Sequence, residues 1–565
     1  MLEFVAHNLA PIMFFVVMAF LLLGYPVAFT LAAGGLAFFF IGVELSVLAP
    51  DTISLSTPLL AANVNRVFDV MRNETLLAVP FFTFMGMVLE RSGMAEDLLE
   101  TMGELFGQVR GGLAIAVILV GALLGATTGV VAASVLAMGL ISLPVMLRHG
   151  YSRTLATGTI LGAGSLAQIV PPSLVLIVMA DQLGQPVGQM YRGALLPAAI
   201  SIGLFALFVF GRALFRPASA PAMPRQEGRG QGEIWSLVGV LAVSVAAYFV
   251  ARNFMPQSVG AEAGVVWACL AAVAVALAVT SGSRLFNLGI VSDVAARVVF
   301  VMIPPLALIF VVLGTIFLGI ATPTEGGAMG AVGAMVLAAL KNRLSFSGLR
   351  EALEQSTRIT AFVMFVLIGA RIFSLTFYGI DGDDWIEGIL TALPGGEFGF
   401  LIGVTLLVFI LGCFLDFFEI AFIVIPFVAG AARVLDIDLV WLGIILSINL
   451  QISFLTPPFG FALFYLRSVA PTEEKTDPAT GQAIPGIRTL DIYKGAVPFV
   501  ALQAVTIALV MAFPWLVTHE RRLPEDVAGQ AVDAPAMELP GLSLPDFGDT
   551  GAGSGLSLSE PDFSD

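Results

Sequence analysis

Two proline pairs are set inside apolar runs long enough to cross a bilayer: Gly162-Ala-Gly-Ser-Leu-Ala-Gln-Ile-Val-Pro-Pro-Ser173 and Asn449-Leu-Gln-Ile-Ser-Phe-Leu-Thr-Pro-Pro-Phe459. Each pair removes two amide donors and disfavours helical geometry before it, so both runs are expected to be broken helices. At membrane depth a broken helix survives only where its freed carbonyls line a cavity or bind something. Two breaks at corresponding places in two halves of a chain point to an ion and substrate site. Gln168, Asn449 and Gln451 flank the breaks and carry amides suited to the freed backbone groups.

Other polar groups stand in equally apolar surroundings, where a charge near the bilayer centre costs about 2.5–3.5 kcal/mol. Gly125-Ala-Thr-Thr-Gly129 sets the hydroxyls of Thr127 and Thr128 beside glycines. Such a stretch offers side-chain and carbonyl oxygens to a hard cation such as sodium; close packing of small residues is the competing reading. Asp416 and Glu419 share a helical face by their spacing. There they either neutralise a bound cation, pair with Arg371, carry a proton, or sit at an interface in water. Arg371 lies within an apolar crossing and either grips a substrate carboxylate, pairs with those acids or extends to the surface. Glu325, in Thr322-Pro-Thr-Glu325, is better suited to capping the next helix as a structural carboxylate.

The elements that position these groups must be membrane helices. Of 565 residues 58% are hydrophobic and 12% charged, which excludes an ordinary soluble domain and indicates a polytopic membrane protein. Apolar runs lie at about 9–24, 26–43, 75–90 (short), 154–180, 193–212, 234–251, 263–280, 298–320, 359–378, 438–468 and 493–517. Residues 111–147 and 398–435 are each too long for one crossing, and read as hairpins or as crossings with unwound middles. The count is roughly a dozen crossings plus two hairpin-like segments, with Glu90–Arg110 a solvated stretch between them.

Charge orients the chain. Arg212, Arg216, Arg225 and Arg229 in one loop, and Lys341, Arg343, Arg350 and Arg358 in another, place both loops in the cytoplasm, with the acidic loop around Asp381–Glu387 outside. The net charge is −15, and ten acids against two bases between His519 and Asp565 account for −8 of it. That tail, rich in Pro, Gly, Ser and Asp, is expected to be disordered. Cys269 and Cys413 lie in apolar runs and suggest no disulfide or metal pair, and three histidines support no zinc site or catalytic relay. Met1-Leu-Glu-Phe lacks a basic n-region, so the first apolar run is expected to be retained.

The two halves repeat one another. Tyr191-Arg-Gly-Ala-Leu-Leu-Pro197 answers Tyr493-Lys-Gly-Ala-Val-Pro498, and Gly24-Tyr-Pro-Val-Ala-Phe29 answers Ala321-Thr-Pro-Thr-Glu-Gly-Gly-Ala328. Leu77-Ala-Val-Pro-Phe-Phe82 holds the position of Thr360-Ala-Phe-Val-Met-Phe365; Pro26 to Pro171 is 145 positions and Pro323 to Pro457 is 134. Matches in one order at similar spacing make a repeat. The expected organisation is a first inverted repeat at 1–211, an Arg-rich loop and two extra scaffold crossings at 212–297, a second inverted repeat at 298–518 and the acidic tail at 519–565.

These motifs, with Arg110-Gly-Gly-Leu-Ala114, the Gly150-Tyr151 turn, Gln168-Ile-Val-Pro-Pro-Ser173, Leu415-Asp416 and Thr456-Pro-Pro458, resemble the large membrane subunit of tripartite ATP-independent periplasmic (TRAP) transporters, the DctM type. The resemblance covers most of residues 10–515. It implies an all-α polytopic membrane protein of elevator type, with two inverted repeats, hairpin-like segments and broken helices. It implies import of a small-molecule organic acid across the bacterial inner membrane, coupled to sodium, with no other cofactor and no enzymatic activity. The implied partners are a periplasmic substrate-binding protein, a separate small four-helix membrane subunit and the lipid bilayer, with no nucleic acid. Carried onto this chain, sodium falls to Thr127, Thr128, Gly129, Pro171, Asp416, Thr456 and Pro457. Substrate falls to Ser134, Gln168, Ser173, Arg371, Asn449 and Gln451, with Pro172, Glu325 and Pro458 structural. Many members carry Ser-Gly-Ser-Ser where this chain has Thr128-Gly129-Val130-Val131, a loss of hydroxyls that Thr127, Thr128 and Ser134 can offset. The extra crossings and Ala126–Ser134 resemble a subset associated with mannitol/chloroaromatic-type or 2-oxo acid uptake. The alternatives are a stand-alone sodium/carboxylate symporter or antiporter, and more remotely a polytopic membrane enzyme.

Overall fold

Long apolar runs without strand-like alternation satisfy their backbone internally only as helices, and the chain is helix after helix. The computed structural model describes residues 2–519 except 108, 224–231, 255–260, 287–290 and 477–482. Arg225, Arg229 and the acidic tail beyond His519 lie outside the described residues. The first half comprises α1 (Leu2–His7), α2 (Leu9–Leu22), α3 (Val27–Leu45), α4 (Ala62–Met71), α5 (Ala78–Arg91) and α6 (Met94–Phe106). It continues through α7 (Gly112–Thr128), α8 (Val131–Arg148), α9 (Arg153–Ser165), a 3-10 turn at Leu166–Gln168, α10 (Leu174–Leu183) and α11 (Val187–Phe215). Two helices, α12 (Gly232–Phe254) and α13 (Ala261–Leu285), separate it from α14 (Asp293–Phe317), α15 (Pro323–Leu340) and α16 (Phe346–Tyr378). The rest is α17 (Gly382–Thr391), α18 (Gly396–Leu411), α19 (Phe417–Val434), α20 (Leu439–Leu455), α21 (Phe461–Val469), α22 (Thr489–Ala512) and α23 (Trp515–Thr518). Between α21 and α22 a minimal antiparallel pair joins β1 (Lys475–Thr476) to β2 (Ala483–Ile484).

Among the described residues nine helices are long and apolar enough to cross a membrane, or ten if α17 and α18, bent by 117°, form one span. This corrects the expected dozen. The apolar helices α2, α7, α10 and α20 have only 10–17 residues, and at 1.5 Å per residue they reach about 15–25 Å of a roughly 30 Å hydrocarbon layer. The stretch expected to be solvated between Glu90 and Arg110 is largely α6, which buries Leu98, Leu99, Met102 and Leu105 at helical spacing. Its outer face is pinned: Lys341 Nζ and Arg343 Nη2 bind the Asp97 carboxylate at 2.8 and 3.1 Å, and Arg297 Nη1 reaches Glu104 at 3.2 Å. Likewise α16 begins before the loop arginines end, so Arg350 and Arg358 are helical, and the acidic loop is α17.

The halves pack by exchange. Helix α3 lies along α16 and α15 lies along α5; α10 packs on α19 and α21 on α8. If α3, α5, α8 and α10 correspond to α15, α16, α19 and α21, each contact is the partner-swapped copy of another. Small residues permit the close approach. A methyl at Gly35 of α3 would stand 3.0 Å from the Phe373 backbone of α16, and Thr376 Oγ1 donates to the Gly35 carbonyl at 2.9 Å. Helices α12 and α13 sit at the periphery: only 6% and 17% of their apolar windows are buried, through mutual packing and contact with α14.

A methyl at Gly369 of α16 would sit 2.5 Å from the Ala28 carbonyl oxygen of α3, whereas Gly203 of α11 has open space around it. Gly369→Ala is therefore expected to destabilise by about 1–3 kcal/mol through overpacking, and Gly203→Ala to leave thermal melting unchanged. Equal melts for the two variants would refute this account of the α3–α16 contact.

Candidate functional site

The first break begins where α9 tightens into the Leu166–Gln168 turn and stops at Pro171-Pro172. The helical partner of the Ala167 carbonyl would be the nitrogen of Pro171, which bears no hydrogen. Ser173 substitutes for the next lost donor, its Oγ donating to the Gln168 carbonyl at 2.7 Å. Gln168 itself is fully buried, and neither its amide oxygen nor its nitrogen has a partner among the described atoms. Buried polar atoms are normally satisfied, so this amide marks a place built to meet something else.

Against this break lies the tip joining α7 to α8. Gly129 ends α7 at a φ of +62°, where its N–H donates to the Gly125 carbonyl at 2.8 Å. Glycine is the residue that takes this conformation readily. Thr127 and Thr128 donate to the Leu124 carbonyl at 2.9 and 3.0 Å, and Thr128 Oγ1 meets Ser134 Oγ of α8 at 2.9 Å, stapling the turn. A methyl at Gly125 would fall 2.8 Å from the Ala167 backbone, and one at Gly86 of α5 would fall 2.5 Å from Thr128 Cα. The tip is thus wedged between the break and α5. Whether 111–147 is a hairpin or one interrupted crossing was open in sequence; it is two helices, packed on one another.

The second half repeats the plan. Helix α20 ends at Thr456, whose Oγ1 donates to Ile452 O at 2.8 Å, and the chain passes Pro457-Pro458 to Gly460, whose N–H donates to Thr456 O at 2.9 Å. Both Pro–Pro bonds, 171–172 and 457–458, are cis. The facing tip is Asp416, the N-cap of α19. Its Oδ1 accepts from Phe417 N at 2.7 Å, while its own N–H donates to Glu419 Oε2 at 2.9 Å. Glu419 is buried and Asp416 half-buried. The Asp416 side chain also accepts from the Glu419 backbone N–H, so the two carboxylates form a reciprocal capping box at the start of α19.

The halves meet directly: Gln451 Nε2 of α20 donates to Ser165 Oγ of α9 at 3.1 Å, leaving the buried Gln451 Oε1 without a partner. With α10 packed on α19 and α21 on α8, each break is continued by a helix that lies against the opposite hairpin. Thr127, Thr128, Gly129, Ser134, Gln168, Pro171, Pro172 and Ser173 are therefore gathered in one half; Asp416, Glu419, Gln451, Thr456, Pro457 and Pro458 are gathered in the other. Three residues are not. Asn449 turns to α18, donating to Thr405 O at 2.7 Å. Glu325 caps α15, accepting from Thr322 N at 2.8 Å. Arg371 is exposed on α16 and, among the described residues, makes no ion pair with Asp416 or Glu419. Helix α16 meets the second tip at Phe362, by its ring contact with Phe418; Arg371, nine residues on, is about 13 Å further along the axis.

Sequence reasoning passed over the contacts of Ser165 and Tyr493: Ser165 accepts from Gln451, and Tyr493 donates to the Pro458 carbonyl at 3.5 Å. The Tyr191/Tyr493 repeat was the available signal for the second. Among the described residues no group of three His, Cys, Asp or Glu side chains is placed to hold a metal ion; the oxygens on offer are hydroxyls, amides, carbonyls and two carboxylates.

Residues 14–516 match the family model described as "Tripartite ATP-independent periplasmic transporter, DctM component". The chain is similar to the C4-dicarboxylate TRAP transporter large permease protein DctM of Pseudomonas aeruginosa, 27% identical over 72% of this chain and 79% of that one. It is similar to the ectoine TRAP transporter large permease protein TeaC of Halomonas elongata, at 24% identity over 81% and 89%. It is also similar to the isethionate TRAP transporter permease protein DctMQ of Oleidesulfovibrio alaskensis, at 23% identity over 81% of this chain but 60% of that longer one.

Asp416→Ala removes the Oδ1 acceptor at the start of α19 and is expected to cost about 0.5–2 kcal/mol, measured as thermal melting without sodium. Glu419→Gln keeps an oxygen for the Asp416 amide and should cost less. The reverse order would show that the cap is not what Asp416 contributes.

Proposed function

The chain belongs to the tripartite ATP-independent periplasmic transporter DctM family, and from that premise we propose that it is the large permease subunit of a sodium-coupled importer of a small organic acid anion. The observation that carries this is one of charge. The four stretches that build the site, 127–134, 162–173, 413–419 and 449–459, contain Asp416 and Glu419 and no Lys, Arg or His. An anion entering there meets two carboxylates and no fixed counter-charge; like charges 4 Å apart at an effective dielectric near 20 repel by about 4 kcal/mol. A cation must come first. Hydroxyls of Thr127, Thr128 and Thr456, carbonyls at the Pro171 and Pro457 breaks, the unpartnered oxygens of Gln168 and Gln451, and the carboxylates of Asp416 and Glu419 are hard donors suited to sodium. Sodium then neutralises the site and orders both breaks, and the substrate binds to what the cation has assembled.

On this reading residues 1–211 and 298–518 are inverted repeats, and 212–297 adds scaffold. The hairpins α7–α8 and α18–α19 travel with the broken helices against α3, α5, α15 and α16, as an elevator in the bacterial inner membrane. A periplasmic binding protein delivers the substrate, and a separate small membrane subunit stands beside the scaffold. The chain moves its substrate without chemically changing it, which accords with relatives named as permeases. Relatives named for a dicarboxylate, a sulfonate and ectoine leave the substrate to be read from the site itself.

The test is thermal melting of the purified chain in sodium against potassium or choline chloride at equal ionic strength. An ion at a hundredfold excess over its Kd stabilises by about 2.7 kcal/mol. The sodium-specific increment is expected in the native chain and should shrink in Asp416→Ala and Thr128→Ala. Equal stability in all three salts, or an undiminished increment in both variants, would overturn the assignment. Sodium-driven uptake in liposomes should need the binding protein and small subunit; full uptake by this chain alone would favour a stand-alone symporter.

A further inference from the structure

Side chains fasten the helices that carry the first break to the framework at one end of the molecule. Helix α10 continues that break, and α11, which follows it after a short turn, packs on α7, α10, α20 and α22. Two framework elements reach this pair. In the turn between α4 and α5, Asn73 Nδ2 donates to Asp181 Oδ1 of α10 at 2.7 Å. At the end of α14 the Phe317 carbonyl accepts from Arg192 Nη2 of α11, and the same guanidinium stands 5.4 Å from the centre of the Phe317 ring. The two helices are close here, since a methyl at Gly188 of α11 would lie 3.8 Å from the Ile316 carbonyl oxygen.

Each contact is held from behind. Asn73 Oδ1 accepts from the amides of Thr75 and Leu76 at 3.0 and 3.3 Å, which fixes the side chain and leaves its nitrogen for α10. Thr324 Oγ1 of α15 donates to the Glu74 carbonyl, tying the two framework turns to one another. On the other side Gln182 Nε2 donates to Asp181 Oδ2 at 2.7 Å, and Arg433 Nη2 of α19 reaches the Leu183 carbonyl at 3.4 Å. Helix α15 ends at the basic loop, so its start, and both contacts with it, lie at the opposite end, the outer side by charge. Asn73, Asp181, Arg192 and Phe317 are half-buried. A hydrogen bond that can pass to water loses little on opening, whereas close-packed glycine contacts within the framework cannot part without leaving voids.

We propose that the Asn73–Asp181 and Arg192–Phe317 bonds form a clasp that holds the moving unit in its present position, and that both must open before the unit slides. The inference rests on the reading of hairpins and broken helices as a unit that travels against the framework, which α11 joins by its packing. The clasp touches neither the tips nor the breaks. It therefore sets how the unit divides its time between positions and leaves the ligand-binding groups as they are. Asp181 is the pivot of the arrangement: one oxygen faces the framework through Asn73, and the other is occupied by Gln182 of its own helix.

The experiment reads position directly and needs no substrate. Spin labels are attached at Phe215→Cys, at the end of α11, and Phe346→Cys, at the start of α16, which are 83% and 84% exposed. The chain carries Cys269→Ala and Cys413→Ala, and the distance distribution is measured by double electron–electron resonance in sodium and in potassium. With the clasp intact one distance should dominate. Asn73→Ala combined with Arg192→Leu is expected to raise a second distance by about fivefold or more. Asn73→Asp, nearly isosteric but setting carboxylate against carboxylate, should do the same, and it decides where the double variant does not fold. Asp181→Asn keeps an oxygen for the Asn73 amide and should leave the distribution as it was. Identical distributions with the clasp intact and in both opened variants would overturn the proposal. Two distances in unchanged proportion would mean a unit that moves without being held here. A single distance throughout, in either salt, would sink the moving-unit reading as well.

Discussion

The constraint on which this molecule depends is that a backbone amide or carbonyl in hydrocarbon must find a partner within the protein. Helices meet it automatically; a proline pair at Pro304-Pro305 is carried inside the continuous helix α14, whereas the pairs at Pro171-Pro172 and Pro457-Pro458 break their helices. At the first of these breaks Ser173 Oγ stands in for the N–H missing from the Gln168 carbonyl, and at the second Thr456 N–H turns back to the Ser453 carbonyl that Pro457 cannot reach, while the Tyr493 hydroxyl donates to Pro458. The substitution is incomplete, as the unpartnered amide of Gln168 and oxygen of Gln451 record. An incomplete shell of oxygens deep in an apolar protein is costly unless a ligand completes it.

Exchange packing turns these two local defects into one site. A break within a single half would be lined only by its own hairpin. Because α10 lies on α19 and α21 on α8, while Gln451 reaches across to Ser165, each half supplies the far wall of the other's break. The surrounding framework is held differently, through glycine contacts of α3 with α16 and of α15 with α5, and through the Asp97 ion pairs that fasten α6 to the end of α15. Helix α6 is joined in sequence both to that framework through α5 and to the first hairpin through α7, and it packs on α7 and α14.

What the sequence disclosed follows how local the physics is. Proline chemistry is local, and the breaks, the tips and the all-helical membrane class were legible from it. Helix ends are set by single dihedrals, and apolar runs conceal them: Gly129 at φ +62° divides what composition alone leaves as one stretch. The helices α6 and α17 were hidden by their charges, although Leu98, Leu99, Met102 and Leu105 already had helical spacing. Depth in an apolar run does not fix which way a side chain faces, and so Arg371 was placed with the site when α16 carries it past. The Gln451–Ser165 bond joins residues 286 positions apart, beyond any local pattern.

The difference between the two halves bears on how such a site couples two ligands. A strictly symmetric pair of tips would offer two alike environments, and a cation and an organic anion would compete for each. Here the tips differ: the first keeps hydroxyls and glycine against a buried break, while the second keeps the carboxylates at a more open one. On the reading proposed above, the cation would be drawn to the oxygens and the anion's charge to the cation. On that reading coupling would require no signal passed over a distance. The carboxylates of Asp416 and Glu419 would repel the anion until the cation is in place, and the cation would complete the unpartnered amide of Gln168 and oxygen of Gln451. The missing prolyl hydrogens that break the helices would then also set the order in which the ligands bind.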